Sequence, residues 1–141
     1  MNAYINQYQN NQIQTASPEK ILIMLYDGAI RFTRQAMQAM DTGDKAVQGE
    51  KISRVLAILG EFSNTLDHEI GGEIASDLDA LYSFMTRELL RANLKGERKA
   101  LETVEDLLTG LRDTWVEAAD IYAREKQPES ETDGKSLSVA L

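Results

Sequence analysis

The stretch that decides the fold is Thr15–Phe32, TASPEKILIMLYDGAIRF. It begins as a helix begins. Ser17 is a good N-cap, Pro18 fits the first helical position, and Glu19 suits the positive end of the helix dipole. From there Leu22, Leu25, Ala29, Phe32 and Ala36 recur at helical spacing, the stripe of a core-facing helix. A second stripe, Ile23, Tyr26, Ile30 and Met37, lies beside it. Ile21 to Tyr26 is apolar without a break, and Gly28 then leaves a gap in the pattern. The helix is therefore apolar over a wider arc than one packed face requires.

The same period recurs down the chain. After a break at 41–44 (DTGD), a second helix is expected over Lys45–His68, with Ile52, Val55, Leu59, Phe62 and Leu66 on one stripe and Val47, Leu56 and Ile58 widening it. Gly71-Gly72 offers a turn that tolerates positive φ. A third helix is expected over Glu73–Leu94, with Ile74, Leu78, Leu81, Met85, Leu89 and Ala92 on its stripe, and Tyr82 and Phe84 adjoining. After 95–97 (KGE), a fourth follows over Arg98–Glu125, carrying Leu101, Val104, Leu108, Leu111, Trp115, Ala118 and Tyr122. Four helices of roughly 20–28 residues are roughly 30–40 Å long at 1.5 Å per residue. Joined by short connections, they predict an all-α fold, an antiparallel up-down four-helix bundle. The expected organisation is an N-terminal cap segment at 1–16, the bundle at 17–126, and a disordered tail at 127–141 rich in Pro, Ser and acids. Residues 1–16 are polar, with apolar points at Tyr4, Ile5, Tyr8 and Ile13, and are too short to hold a helix alone.

Composition narrows the function. The 141 residues suit one domain, with 43% hydrophobic and 27% charged content. The net charge of -8 repels phosphate backbones and anionic lipid, which argues against nucleic-acid binding. The absence of Cys excludes a disulfide framework and a thiol nucleophile. No apolar run approaches the roughly 20 residues that span a bilayer, so no membrane insertion is expected. MNAYINQYQN lacks the basic start and apolar centre of a signal peptide, which reads as cytoplasmic.

Chemistry is sparse. A ferritin-like di-iron bundle needs two Glu-x-x-His motifs, and the chain has a single His, His68. No metal, cofactor or enzyme activity is expected. The alternative function is a histidine phosphotransfer bundle using His68. Against it, Asp67 and Glu69 flank the imidazole and would repel a phosphoryl group. On the expected boundaries His68 also ends a helix, where a cation is favoured and an anion is not. What remains is surplus apolar surface on the first helix, read equally as buried core of a crowded bundle or as a groove for a partner helix or extended peptide. Gly28, Gly49, Gly60 and Gly110 fall inside expected helices, where each costs roughly 1 kcal/mol relative to Ala. Together they suggest places where another backbone comes close, set against plain tolerance on an exposed face, which is the preferred reading for Gly49.

Four blocks then carry a resemblance: TASPEKILIMLYDGAIRF, GGEIASDLDALYSFM at 71–85, LLRANLKG at 89–96 and LRDTWVEA at 111–118. In this order and spacing, from about Ala3 to Ala118, they resemble the flagellin-specific export chaperone family, FliS. Tyr4 and Ile13 match its N-terminal positions. Leu25, Tyr26, Asp27 and Gly28 match its first block, Gly71 to Ala75 its second, and Leu81, Tyr82, Ala92, Asn93 and Trp115 later ones. The resemblance implies a helical bundle that holds the disordered C-terminal segment of newly made flagellin, one to one, in its grooves. It further implies that this binding prevents premature polymerisation and aids delivery to the flagellar type III export gate. The resemblance also implies an N-terminal stretch that can cover part of the binding surface and move when flagellin arrives. On this reading Tyr4, Tyr8 and Ile13 form the displaceable cap. Tyr26, Gly28, Ile30, Tyr82 and Leu89 line the groove. The same exposed face leaves weak self-association of the free protein open.

Overall fold

The computed structural model describes residues 17–126; the expectations for the cap segment and the tail lie outside them. Four helices follow one another: α1 (Pro18–Thr42), α2 (Lys45–Thr65), α3 (His68–Lys95) and α4 (Arg98–Lys126). Each connection is two residues long, so successive helices run antiparallel. α1 packs against α2 and α4, and α3 against the same two. This is the expected up-down bundle.

The boundaries follow from local chemistry. Ser17 caps α1 by accepting from the Lys20 amide at 3.2 Å. Gly43 ends it in the left-handed region at φ 76°, with the Asp44 amide returning to the Ala39 carbonyl at 2.8 Å; only glycine takes that turn without cost. Asp44 then caps α2 by accepting from the Val47 amide at 3.1 Å.

The α2–α3 corner departs from expectation. α2 stops at Thr65, and α3 begins at His68, five residues before the Glu73 start expected from the sequence. Asp67 is the reason: its Oδ1 accepts from the Ile70 amide at 2.9 Å and caps a new first turn. The Gly71-Gly72 pair is still a break. Gly72 has φ 53° and ψ -123°, a kink inside α3, so a single turn precedes the kink and the long helix follows it.

Along α2 the expected stripe is the core: Ile52, Val55, Leu59, Phe62 and Leu66 are all buried. α4 contributes Ala100, Leu101, Val104 and Leu108, while Leu111 and Trp115 pack from its edge. In the middle Tyr26, Phe62 and Tyr82 form an aromatic stack, with ring centroids 4.5 Å and 5.4 Å apart. The Tyr26 and Tyr82 hydroxyls meet at 2.9 Å, a hydrogen bond that ties α1 to α3 across the diagonal.

An ion-pair ladder sets the register of α1 on α4. Asp27 meets Arg112 at 2.8 Å, Arg34 meets Glu105, and Asp41 meets Arg98 at 2.8 Å. The rungs climb seven residues at a time along α1 (27, 34, 41) and descend seven at a time along α4 (112, 105, 98). Seven residues are two helical turns, so the charges stay on facing sides of an antiparallel pair. Arg34 and Arg98 are exposed and Arg112 is half-buried, so the ladder specifies alignment more than it adds stability.

Candidate partner-binding surface

Of the residues expected to form the site, Tyr4, Tyr8 and Ile13 lie outside the described residues. The other side chains are not at the surface. Tyr26 is 0% exposed, and Ile30, Tyr82 and Leu89 are also buried. The expectation that they line an open groove is corrected: they are core. The two stripes of α1 had their roles partly reversed. Tyr26, Ile30 and Met37 of the second stripe are buried, while Leu25 of the first is 36% exposed. The cause is that α2 and α4 flank α1 on both sides and wrap an arc wide enough to take in Tyr26. On α3 the inner position expected for Ile74 fails, since it is 64% exposed beyond the kink at Gly72.

Gly28 is buried, but its gap is filled from within the chain. A Cβ there would stand 3.8 Å from Arg31 Nη2 and 3.9 Å from Ile58 Cδ1, ordinary contact distances. Gly60 and Gly110 have nothing within 4 Å, and Gly49 only the Asn93 side chain. The idea that a neighbouring backbone of the chain requires these glycines is therefore not met among the described residues.

Burial of the Tyr26–Tyr82 pair has an electrostatic signature. Loss of hydration pushes the Tyr26 phenol above its ordinary value of 10.0, opposed by hydrogen bonding to Tyr82 and by the nearby Trp115 indole. Tyr82 is pushed up more strongly, first by burial and then by the Tyr26 phenol beside it. The Trp115 indole comes close to Tyr26 without completing a hydrogen bond, and its Nε1 is a buried donor with no partner among the described residues.

The open surface lies elsewhere. A groove of about 410 Å³ runs between the start of α1 and the end of α2, lined by Pro18, Ile21, Leu22, Leu25, Phe62 and Thr65, with Glu61 at its rim. Its inner wall is Phe62, which stacks on Tyr26. Ile70 and Ile74, from the start of α3, and Ile121, near the end of α4, are exposed at the same end of the bundle. Leu90 and Leu94, the latter 86% exposed, form a one-turn pair toward the other end of α3. Sequence reading missed most of these. The signal for Leu90 was visible, because Leu89-Leu90 supplies one more leucine than a core stripe uses.

A second cleft, about 530 Å³ between α1 and α4, is lined by Asp27, Ile30, Arg31, Arg34, Gln35 and Arg112 among others. Among the described residues no group of His, Asp and Glu could hold a metal ion, and no helix is long and apolar enough to cross a membrane. His68 is exposed at the start of α3 rather than at the end of α2. The helix-end argument against an anion there is thus reversed, since a helix N-terminus favours negative charge, although Asp67 and Glu69 still flank it.

A family model described as flagellar protein FliS matches residues 1–122. The chain is 37% identical over 114 residues to the flagellar secretion chaperone FliS of Salmonella typhimurium, covering 80% of this chain and 84% of that one. It is 35% identical over 111 residues to the flagellar secretion chaperone FliS of Bacillus subtilis, covering 79% and 82%. With the protein of that name from Vibrio cholerae it shares 35% identity over 122 residues, 86% and 90% of the two chains.

Proposed function

The chain belongs to the FliS family of flagellar proteins, and on that premise we propose that it is a cytoplasmic export chaperone for flagellin. It binds the disordered C-terminal segment of flagellin one to one on the apolar surface of the bundle. This blocks premature polymerisation and presents the cargo to the flagellar type III export gate. Such a role needs apolar surface and no reaction chemistry, so no catalytic residue is assigned and the phosphotransfer reading of His68 is not carried forward.

The observation that carries the proposal is the apolar groove between α1 and α2, with exposed isoleucines at the same end of the bundle. Large apolar side chains gathered at one end of an acidic protein mark a docking surface. Leu25 and Ile21 are the contacts offered to the partner. Tyr26 acts one layer down, holding Phe62 as the groove's inner wall. Ile30, Tyr82 and Leu89 support the surface from the core. α1 begins at Pro18, on the edge of the groove, which supports the reading of Tyr4, Tyr8 and Ile13 as its displaceable cover. Weak docking of that cover is what exchange requires, because its removal must cost less than cargo binding gains.

Calorimetric titration with a synthetic flagellin C-terminal peptide tests the proposal. It should give one-to-one binding and new helix by circular dichroism. Leu25→Asp, which puts a carboxylate into the groove, should weaken binding at least about tenfold while leaving the helical signal of the free protein intact. No binding of wild type up to roughly 100 µM peptide would overturn the proposal.

A further inference from the structure

The outer side of the α1/α2 pair concentrates positive charge on a chain whose net charge is -8. Phe32 of α1 is half-buried, and three cations surround its ring. Arg31 Cζ lies 5.3 Å, Arg54 Cζ 5.5 Å and Lys51 Nζ 5.6 Å from the centroid. One cation comes from α1 and two from α2, so the cluster spans the seam between the helices. A ring face attracts one cation; three around one ring also repel each other. Glu50 is the one carboxylate that pairs with the cluster among the described residues, 3.2 Å from Arg54 and 4.0 Å from Lys51. Arg31 enters no ion pair among them, and its guanidinium rests over Gly28.

The contrast with the rest of the molecule is informative. Arg34, Arg98 and Arg112 each meet a carboxylate on a neighbouring helix and help align the bundle. The Phe32 cluster aligns nothing across helices by charge, and three cations share one acid. We propose that it is a docking site for a short acidic segment of a partner protein. The segment's carboxylates pair with Arg31, Lys51 and Arg54, and one apolar side chain covers the exposed edge of Phe32. A compact acidic stretch fits better than a polynucleotide, because a long polyanion would run off the cluster onto the acidic remainder of the surface. The cluster also continues the apolar groove. Phe32 lies two turns beyond Leu25, about 10 Å along α1, so one segment can place apolar residues in the groove and carboxylates on the cluster. The inference goes beyond the flagellin reading and stands whether or not flagellin is the occupant.

The probe is a dodecapeptide carrying six glutamates and two leucines, with its all-glutamine counterpart as control, followed by fluorescence anisotropy. Wild type should bind the glutamate peptide at least about tenfold tighter than the glutamine one at low salt, and about 0.5 M salt should remove the difference. The triple variant Arg31→Gln, Lys51→Gln, Arg54→Gln should lose the preference. Glu50→Gln, which frees the cluster from its own acid, should tighten binding about threefold; this gain cannot come from misfolding. Equal binding of the two peptides, a preference that survives the triple variant, or no tightening by Glu50→Gln would each overturn the proposal. A twelve-residue oligothymidylate that binds as tightly as the glutamate peptide would overturn its assignment to an acidic protein segment.

Discussion

The Tyr26–Tyr82 pair makes a sharp demand on stability. The two hydroxyls share a hydrogen bond of 2.9 Å in a site from which water is excluded. Removing one leaves the other buried with its desolvation cost unmet, about 1–3 kcal/mol. The two single variants should not cost the same. In Tyr82→Phe the Tyr26 oxygen remains next to the Trp115 indole, whose Nε1 is an unused donor. A small shift lets Trp115 donate to it, which places this variant near the low end of that range. In Tyr26→Phe the Tyr82 hydroxyl loses its partner and Trp115 gains none, so the cost should be near the high end. The double variant removes both polar groups and keeps both rings, so it should cost less than the sum of the singles by about 1 kcal/mol or more. Urea unfolding at neutral pH, followed by circular dichroism on all four proteins, measures each term. Additivity to within about 0.5 kcal/mol would refute the claim that the hydroxyls depend on each other. Tyr82→Phe proving the costlier single variant would refute the role given to Trp115.

The same burial sets an alkaline limit. Both phenols titrate above 10.0 in the fold and near that value once unfolded. From about pH 10 upward the unfolded chain releases protons that the folded one retains, so stability falls as pH rises, by up to about 1.4 kcal/mol per pH unit for each tyrosine. The double phenylalanine variant should show a shallower fall, and an unchanged slope would assign the loss to other groups. Gly72→Ala forces a side chain into φ 53°, ψ -123°, a conformation that costs on the order of 1–3 kcal/mol; a urea midpoint at or above that of wild type would show the kink to be dispensable. Deletion of residues 1–13 should leave the unfolding midpoint nearly unchanged, because the described core runs from Leu22 to Leu108 without them. A molten deletion variant would make those residues core.

How much of this was legible in the sequence depended on whether a feature is local. The α1 cap at Ser17 and its stop at Gly43 needed only neighbouring residues, and both were readable. The corner at 66–72 was read half correctly. Glycine marks where positive φ can occur, and Gly72 has it, but Asp67 had already capped a new turn, and Asp is common enough on helix surfaces that its capping role did not stand out. The choice between Leu25 and Tyr26 was not local at all. Adjacent apolar residues on a wide arc are ranked only by where the flanking helices lie, and the sequence does not carry that geometry. The α1/α4 ladder was hidden for the same reason: Asp27, Arg34 and Asp41 show the spacing, but their partners follow only from the antiparallel register. Functional expectations inherited this error, since the large, conspicuous side chains were assigned to the surface.

Correcting that assignment changes what a partner must do. With Tyr26 and Tyr82 buried in the core, the proposed binding surface is one that is present without opening the bundle. The surface that remains is graded along the α1/α2 seam, apolar at Ile21 and Leu25 and cationic at Arg31, Lys51 and Arg54. Gly28 sits between the two halves. The Arg31 guanidinium lies over it, at an ordinary contact distance from where a Cβ would stand. Apolar contact is tolerant of sequence, whereas carboxylate pairing is selective, so a seam with both can hold an unfolded segment strongly while still fixing which end lies where. That combination suits the proposed role of holding a segment that has no fold of its own.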